Sequence, residues 1–334
     1  GGYLLAPLGE LAQVGALDED DRLLDTVARA LLALPAAQRL GPQDTYRICW
    51  ASWGNVQLAY DLAGQRMEPA ARAAWTRGVA AEGVQQVLKT LREWHYLRSA
   101  GANTPMVGVI SGVLFLLALD GDPGLPDWTR EKAEFVRYFE AALYSGIGPE
   151  GYPNEDIAYG SGMVTLLARV AEALRRAGLY DVYRQCPRYT KFGRAMLHFV
   201  QPWGGFLSNT GDYGADFGWL SLALPRLATE THDPALLWLM STLTYPIAAS
   251  GPIDNAARRA HFPELALAPG LKVAVDAYAL LALDDLAQPV PPARLRVPTP
   301  FMDPDRGIVT FRSTWQPDAT FVVFDSAQRP TGAQ

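Results

Sequence analysis

The chain has 334 residues, 49% of them hydrophobic, and a formal net charge of −6. That length and apolar content support a large core and more than one domain, which places the chain among globular proteins. An acidic balance with no basic stripe argues against a nucleic-acid partner. The longest apolar run, residues 107–119, is too short for a membrane span and is broken by Gly and Ser.

Gly1 opens the chain with no charged, apolar leader, so the residues themselves assign no compartment. From residue 18 to about 286, apolar residues recur at spacings of three and four, which predicts helix after helix. The clearest segments are 21–34, 44–62, 69–98, 105–119, 129–144, 155–177 and 273–286. Connections such as "LDGDPGLPDW" and "VQPWGGFLSNTGDYGADFG" carry the Gly, Pro, Asn and Asp of turns. The helices are therefore expected to pack on one another.

Within this helical region, "GPEGYPNEDIAYGSG" (148–162) leads into one of the apolar helices. Asn154 suits an N-cap, and Glu155 and Asp156 suit the positive end of a helix dipole. Glu155 and Tyr159, at i and i+4, share one helix face if the helix begins at 155. A half-buried tyrosine hydrogen-bonded to a glutamate and a catalytic pair both fit that spacing. Asn103, just before the helix at 105–119, reads equally as an N-cap.

At the C-terminal end, "AQPVPPARLRVPTPF" (287–301) holds five prolines and reads as a stiff, extended linker between a helical domain, residues 1–288, and a second region, 289–334. Beyond it, "GIVTFR" (307–312) and "TFVVFDS" (320–326) are rich in β-branched and aromatic residues and predict an antiparallel hairpin. Two strands alone are marginal, so the rest of a β-domain is expected outside these residues, on this polypeptide or on a second chain.

Several chemistries find no pattern. Cys49 and Cys186 form no CxxC pair and read as buried small hydrophobes. His95, His198, His232 and His261 stand singly, without metal-ligand spacing. There is no GxSxG, and no strand precedes Ser161.

Taken together, the helical repeat, the proline-rich linker and "DRGIVTFRSTWQPDATFVVFDSAQRPTGAQ" resemble the heparinase II/III-like polysaccharide lyases, a group that includes oligoalginate lyases. "ANTPMVGVISGVLFLLALDGD", "GYPNEDIAYGSG" and "QPWGGFLSNTGD" are similar to three further segments of that family. The likeness runs from about residue 46 to the end. It implies a mostly α protein, an incomplete (α/α) toroid followed by the start of an antiparallel β-sandwich. It also implies a periplasmic or secreted location.

The family carries an Asn or His that neutralises a substrate carboxylate, followed at similar distance by a catalytic Tyr; here Asn103 precedes Tyr159 by 56 residues. The resemblance therefore implies Asn103 and Tyr159 as catalytic, with Glu155 orienting the substrate. Asn154, Tyr152, Thr104, His95, Asp212 and Tyr213 are the expected substrate contacts. The family's His-x-His segment would follow Gln334, so one catalytic histidine and any metal ligands, for zinc or a similar ion, are expected beyond it. No cofactor is expected within these residues.

The implied reaction is β-elimination at a uronate of an acidic polysaccharide or oligosaccharide. Two other classes remain open at this stage. One is a glycoside hydrolase using two of Glu150, Glu155, Asp156 and Asp212, and the other a noncatalytic carbohydrate-binding protein.

Overall fold

The computed structural model describes residues 6–37, 55–93, 97, 100–202, 207–208, 210, 220–242 and 288–326. The expected helix at 273–286 and the first part of the one at 44–62 lie outside them. The described part is mostly helical, with a small antiparallel sheet near its C-terminal end. No helix among the described residues is long and apolar enough to cross a membrane.

The helices are α1 (Ala6–Leu17), α2 (Asp21–Ala37), α3 (Asn55–Ala63), α4 (Pro69–Val79), α5 (Gln86–Glu93), α6 (Asn103–Leu119), α7 (Thr129–Gly146), α8 (Ser161–Arg176), α9 (Pro187–His198), α10 (Leu220–Thr231) and α11 (Pro234–Thr242). The strands are β1 (Phe301–Asp303), β2 (Ile308–Arg312) and β3 (Phe321–Asp325). Backbone contacts divide the chain into two compact units, 1–100, 104–142 and 169–181 in the first, and 101–103, 143–168 and 182–334 in the second.

In the first unit the local code is direct. Asp20 Oδ1 accepts the N–H groups of Arg22 and Leu23 at 3.0 and 3.1 Å, so a carboxylate caps α2. Leu24, Val27, Ala28 and Leu31 then form its buried stripe. The Trp75 indole on α4 donates to Leu31 O at 2.9 Å and stacks on Tyr60 of α3. Arg72, Tyr60 and Asp122 form one part-buried cluster in which burial and the hydrogen bond to Asp122 push the Tyr60 phenol up to about 12.

The single helix expected over 69–98 is interrupted. Residues Ala80–Gln85 form a π-turn between α4 and α5, and α5 ends at Glu93. Gly83 lies in that turn, where a Cβ would stand 2.9 Å from the Phe115 ring of α6. Close approach of that ring requires the glycine. The α6 helix is buried through Val107, Val109, Ile110, Val113, Leu116 and Leu119, with a half-buried face at Leu114, Leu117 and Ala118.

The second unit holds α9, α10, α11 and the sheet. Asp233 accepts the Ala235 N–H at 3.0 Å at the start of α11 and pairs with Arg194 of α9. The sheet order is β1-β2-β3, with Phe301 opposite Thr310 and Thr310 opposite Val323. Sequence periodicity predicted only β2 and β3. Strand β1 adds a third partner from within the stretch read as linker, and the proline-rich residues fall inside the second unit.

The inward face of this sheet mixes fully buried Ile308 with buried polar residues. Asp303, Thr310 and Arg312, on one face, are buried, while Met302, Phe311, Val322 and Phe324, on the other, are 51 to 64% exposed. An antiparallel sheet with one wet face ordinarily turns its apolar residues inward. Buried Arg312 donates from Nη2 to His198 O at 3.2 Å and also to Val200 O, and its guanidinium lies 4.1 Å from the Trp315 ring centroid. The inward face is thus held by the end of α9.

Candidate functional site

The segment after α7 is built as a narrow hairpin. Ile147 pairs with Pro153 in an antiparallel bridge, Gly148 N–H donates to Tyr152 O at 2.7 Å, and Asn154 N–H donates to Gly146 O at 2.7 Å. Gly151 sits at φ +94°, where a Cβ would stand 2.6 Å from the Lys191 backbone. Glycine is the residue that tolerates both conditions.

Cations gather on the carbonyls of this hairpin and of the helix end before it. Arg188 Nη1 donates to Tyr144 O and Ile147 O at 3.0 and 3.2 Å, and Arg306 Nη2 to Ser145 O at 2.7 Å. Lys191 Nζ reaches Pro149 O at 3.1 Å and the Glu150 carboxylate at 3.0 Å. The C-terminal end of α7 carries partial negative charge and unpaired carbonyls, so cations are favoured there.

A carboxylate enters from the sheet. Asp303 is fully buried, and its Oδ2 accepts the N–H groups of Glu150 and Tyr152 at 3.1 and 3.3 Å. Burial raises its pKa, against the opposing pull of those two N–H donors and of Arg306. Gly148 is required here as well, because a Cβ would overlap the Asp303 carboxylate.

Asn154 is 6% exposed and does not act as the expected N-cap. Its Oδ1 accepts from Arg306 Nη1 at 2.8 Å, and its Nδ2 donates to Gly101 O at 3.5 Å. Gly101, two residues before Asn103, packs so tightly that a Cβ would stand 2.7 Å from Ser145 O and 3.1 Å from Asn154 Nδ2. Gly101, just before α6, and the hairpin are therefore in direct contact.

Past Asn154 the structure departs from a plain helix. Asp156 is buried with φ +64°, and Asp156–Gly160 form a π-turn in which Gly160 N–H donates to Glu155 O at 3.2 Å. Glu155 precedes that turn and Tyr159 lies within it, so the regular i, i+4 face expected for them does not exist. The helix begins at Ser161 rather than at 155. Glu155 and Tyr159 are both half-buried.

Tyr152 is buried, and its OH lies 2.6 Å from Thr210 Oγ1. Leu207 and Ser208 are tied back by the Val200–Leu207 bridge and by Ser208 N–H donating to Phe199 O at 2.7 Å. Thus the stretches singled out in the sequence touch within one unit at Gly101 and Asn154 and at Tyr152 and Thr210. The side chains of Asn103 and Thr104, and residues His95, Asp212 and Tyr213, lie outside the described residues.

Sequence reasoning missed Asp303, the last residue of β1, and Arg306, in the turn to β2, both in "DPDRG". It also passed over His198, which is 6% exposed, stacks on Phe301 at 5.3 Å and has no hydrogen-bond partner at Nδ1. Burial, with Arg312 and Arg194 nearby, lowers its pKa to about 4. Among the described residues no three His, Cys, Asp or Glu side chains gather as a metal site. Comparison of the sequence with models of known families and with curated proteins finds no match.

Proposed function

We propose that this protein is a polysaccharide lyase that cleaves a uronate-containing acidic polysaccharide or oligosaccharide by β-elimination. The reading is supported by two contacts within one unit, Asn154 with Gly101 two residues before Asn103 and Tyr152 with Thr210, and by Tyr159 being half-buried rather than sealed. Asn103, Tyr159 and Thr210 lie in the stretches on which the likeness to heparinase II/III-like lyases rests. The same reading takes the helices as an incomplete (α/α) toroid and the sheet as the start of a β-sandwich. Its apolar outward face, Met302, Phe311, Val322 and Phe324, suits a second sheet layer. The reading also gives the protein a periplasmic or secreted location.

Elimination removes a weakly acidic proton from C5 while the adjacent carboxylate opposes the carbanion-like transition state. The Asn103 amide hydrogen-bonds that carboxylate and spreads the developing charge. On a substrate that presents the C5 proton and O4 on one face, Tyr159 gives the departing O4 the proton that, as phenolate, it takes from C5. A phenol of pKa about 10 reaches that state only when neighbouring cations lower it. Glu155 orients the sugar.

A hydrolase would use two of Glu150, Glu155, Asp156 and Asp212, of which Glu150 is ion-paired with Lys191, Asp156 is buried and Glu155 is half-buried. The two chemistries part at their products, because elimination leaves a C4=C5 double bond that absorbs in the ultraviolet and hydrolysis does not. A panel of acidic polysaccharides scored for that absorbance tests the proposal, and binding without either product identifies a noncatalytic protein.

A further inference from the structure

We propose that Arg306, supported by Asp303, is a positioning residue: its guanidinium fixes the start of α6, which carries Asn103, against the hairpin that leads to Tyr159. The inference rests on the lyase reading for what the two residues do, and on the local geometry for how they are held.

Arg306 is 7% exposed and its two terminal nitrogens serve two separate stretches, Ser145 O at 2.7 Å and Asn154 Oδ1 at 2.8 Å. Asn154 passes the restraint on through Nδ2 to Gly101 O. From the same turn, Asp303 takes the Glu150 and Tyr152 N–H groups. The hairpin is therefore held through the Glu150 and Tyr152 N–H groups by a carboxylate, and at its base through oxygens of Ser145 and Asn154 by a guanidinium. All of these residues belong to the second unit.

Stability alone gives little reason for this arrangement. Burying a guanidinium and a carboxylate costs desolvation that a well-packed apolar pair of similar volume avoids. What charges add is direction. The planar fork of an arginine admits two acceptors at one angle, which an apolar contact does not define. Asn154 is five residues from Tyr159, and Gly101 is two from Asn103, so the fork sets the register of one relative to the other. Misplacement by about 1 Å costs roughly 100-fold in a reaction that depends on such alignment.

The test compares wild type with Arg306→Lys, Arg306→Ala, Asn154→Ala and the Arg306→Ala/Asn154→Ala double variant, and uses Arg92→Ala as a control that breaks an ion pair with Glu134 in the first unit. Two readouts are taken: steady-state kinetics of unsaturated product on uronate oligomers, and amide hydrogen exchange across 146–160. The proposal expects kcat of Arg306→Ala to fall roughly 100-fold with KM little changed. It expects the double variant to be no worse than the single, and Arg306→Lys to recover only part of the loss. Exchange at the Gly148, Gly151 and Asn154 amides should rise at least about tenfold, and not in Arg92→Ala.

If Arg306→Ala does not fold, Arg306→Lys and Asn154→Ala carry the same comparison. Wild-type kcat and exchange in the Arg306 and Asn154 variants overturn the proposal, as does a double variant whose losses multiply. A wild-type protein that makes no unsaturated product removes the lyase reading instead. In that event the exchange difference alone upholds or overturns the brace.

Discussion

Arg306 donates through Nη1 to Oδ1 of Asn154 at 2.8 Å across 152 positions of sequence, in an interior where both side chains are less than a tenth exposed. Truncating Asn154 to Ala leaves a buried cation with a further donor unmet beside Nε, which costs the desolvation of that group on top of the lost bond. The expected loss is about 2 kcal/mol of unfolding free energy, measured by urea titration. An unchanged midpoint would mean that water takes over the role of the amide.

Gly148 and Asp303 are coupled by space rather than by a bond. A Cβ at 148 would overlap the Asp303 carboxylate, so Gly148→Ala should be strongly destabilising in the wild-type background. In an Asp303→Ala background the overlap is gone, and the same substitution should cost less by about 1 kcal/mol or more. A double-mutant cycle on denaturation midpoints checks this, and additive losses would contradict the packing described.

His198 makes stability depend on pH. Its folded pKa lies at about 4, below the ordinary 6.5, because burial disfavours the imidazolium. Between those values the unfolded chain binds a proton that the folded chain does not, so the stability contribution is intact above pH 6.5 and is lost as pH falls towards 4. Two to three units correspond to about 3 kcal/mol. The difference in unfolding free energy between wild type and His198→Phe should change by that order over this window and stay flat above it.

The outward face of the sheet makes a prediction about association. Met302, Phe311, Val322 and Phe324 are exposed together, in cross-strand register through the Met302–Val309–Phe324 and Phe311–Val322 pairs. Grouped apolar side chains beside unpaired strand edges promote sheet-to-sheet association. The Phe311→Lys/Phe324→Lys variant should scatter less light than wild type at equal concentration, with unchanged far-ultraviolet circular dichroism. Equal scattering would show that the face does not drive association.

Much of the architecture was legible in residue patterns, and the exceptions have physical causes. Helix α2 was legible as the periodic segment 21–34, and its Asp20 cap and its stripe at Leu24, Val27 and Leu31 are both local features. The paired strands β2 and β3 showed in their β-branched and aromatic content. Helix α1 was not expected, because "APLGELAQVGAL" has weak periodicity and contains two glycines. Strand β1 hid between Pro300 and Pro304, which mark linkers more often than strands.

The two π-turns were invisible for another reason: each accommodates a distant or preceding side chain at a glycine, Phe115 at Gly83 and Pro153 at Gly160. Nothing local encodes that. For the candidate site, the residue types and order around Asn103, Glu155 and Tyr159 were readable, but their relative placement was not. It depends on Asp303 and Arg306, which reach residues about 150 positions away.

The most direct test is of Tyr159 itself. Wild type and Tyr159→Phe are incubated with a panel of uronate-containing oligosaccharides, and the ultraviolet absorbance of the C4=C5 double bond is followed beside the thermal melt of each protein. The account predicts that wild type generates the absorbance on at least one substrate and that Tyr159→Phe generates none, with Tm nearly unchanged. A Tyr159→Phe protein that still forms the unsaturated product contradicts it.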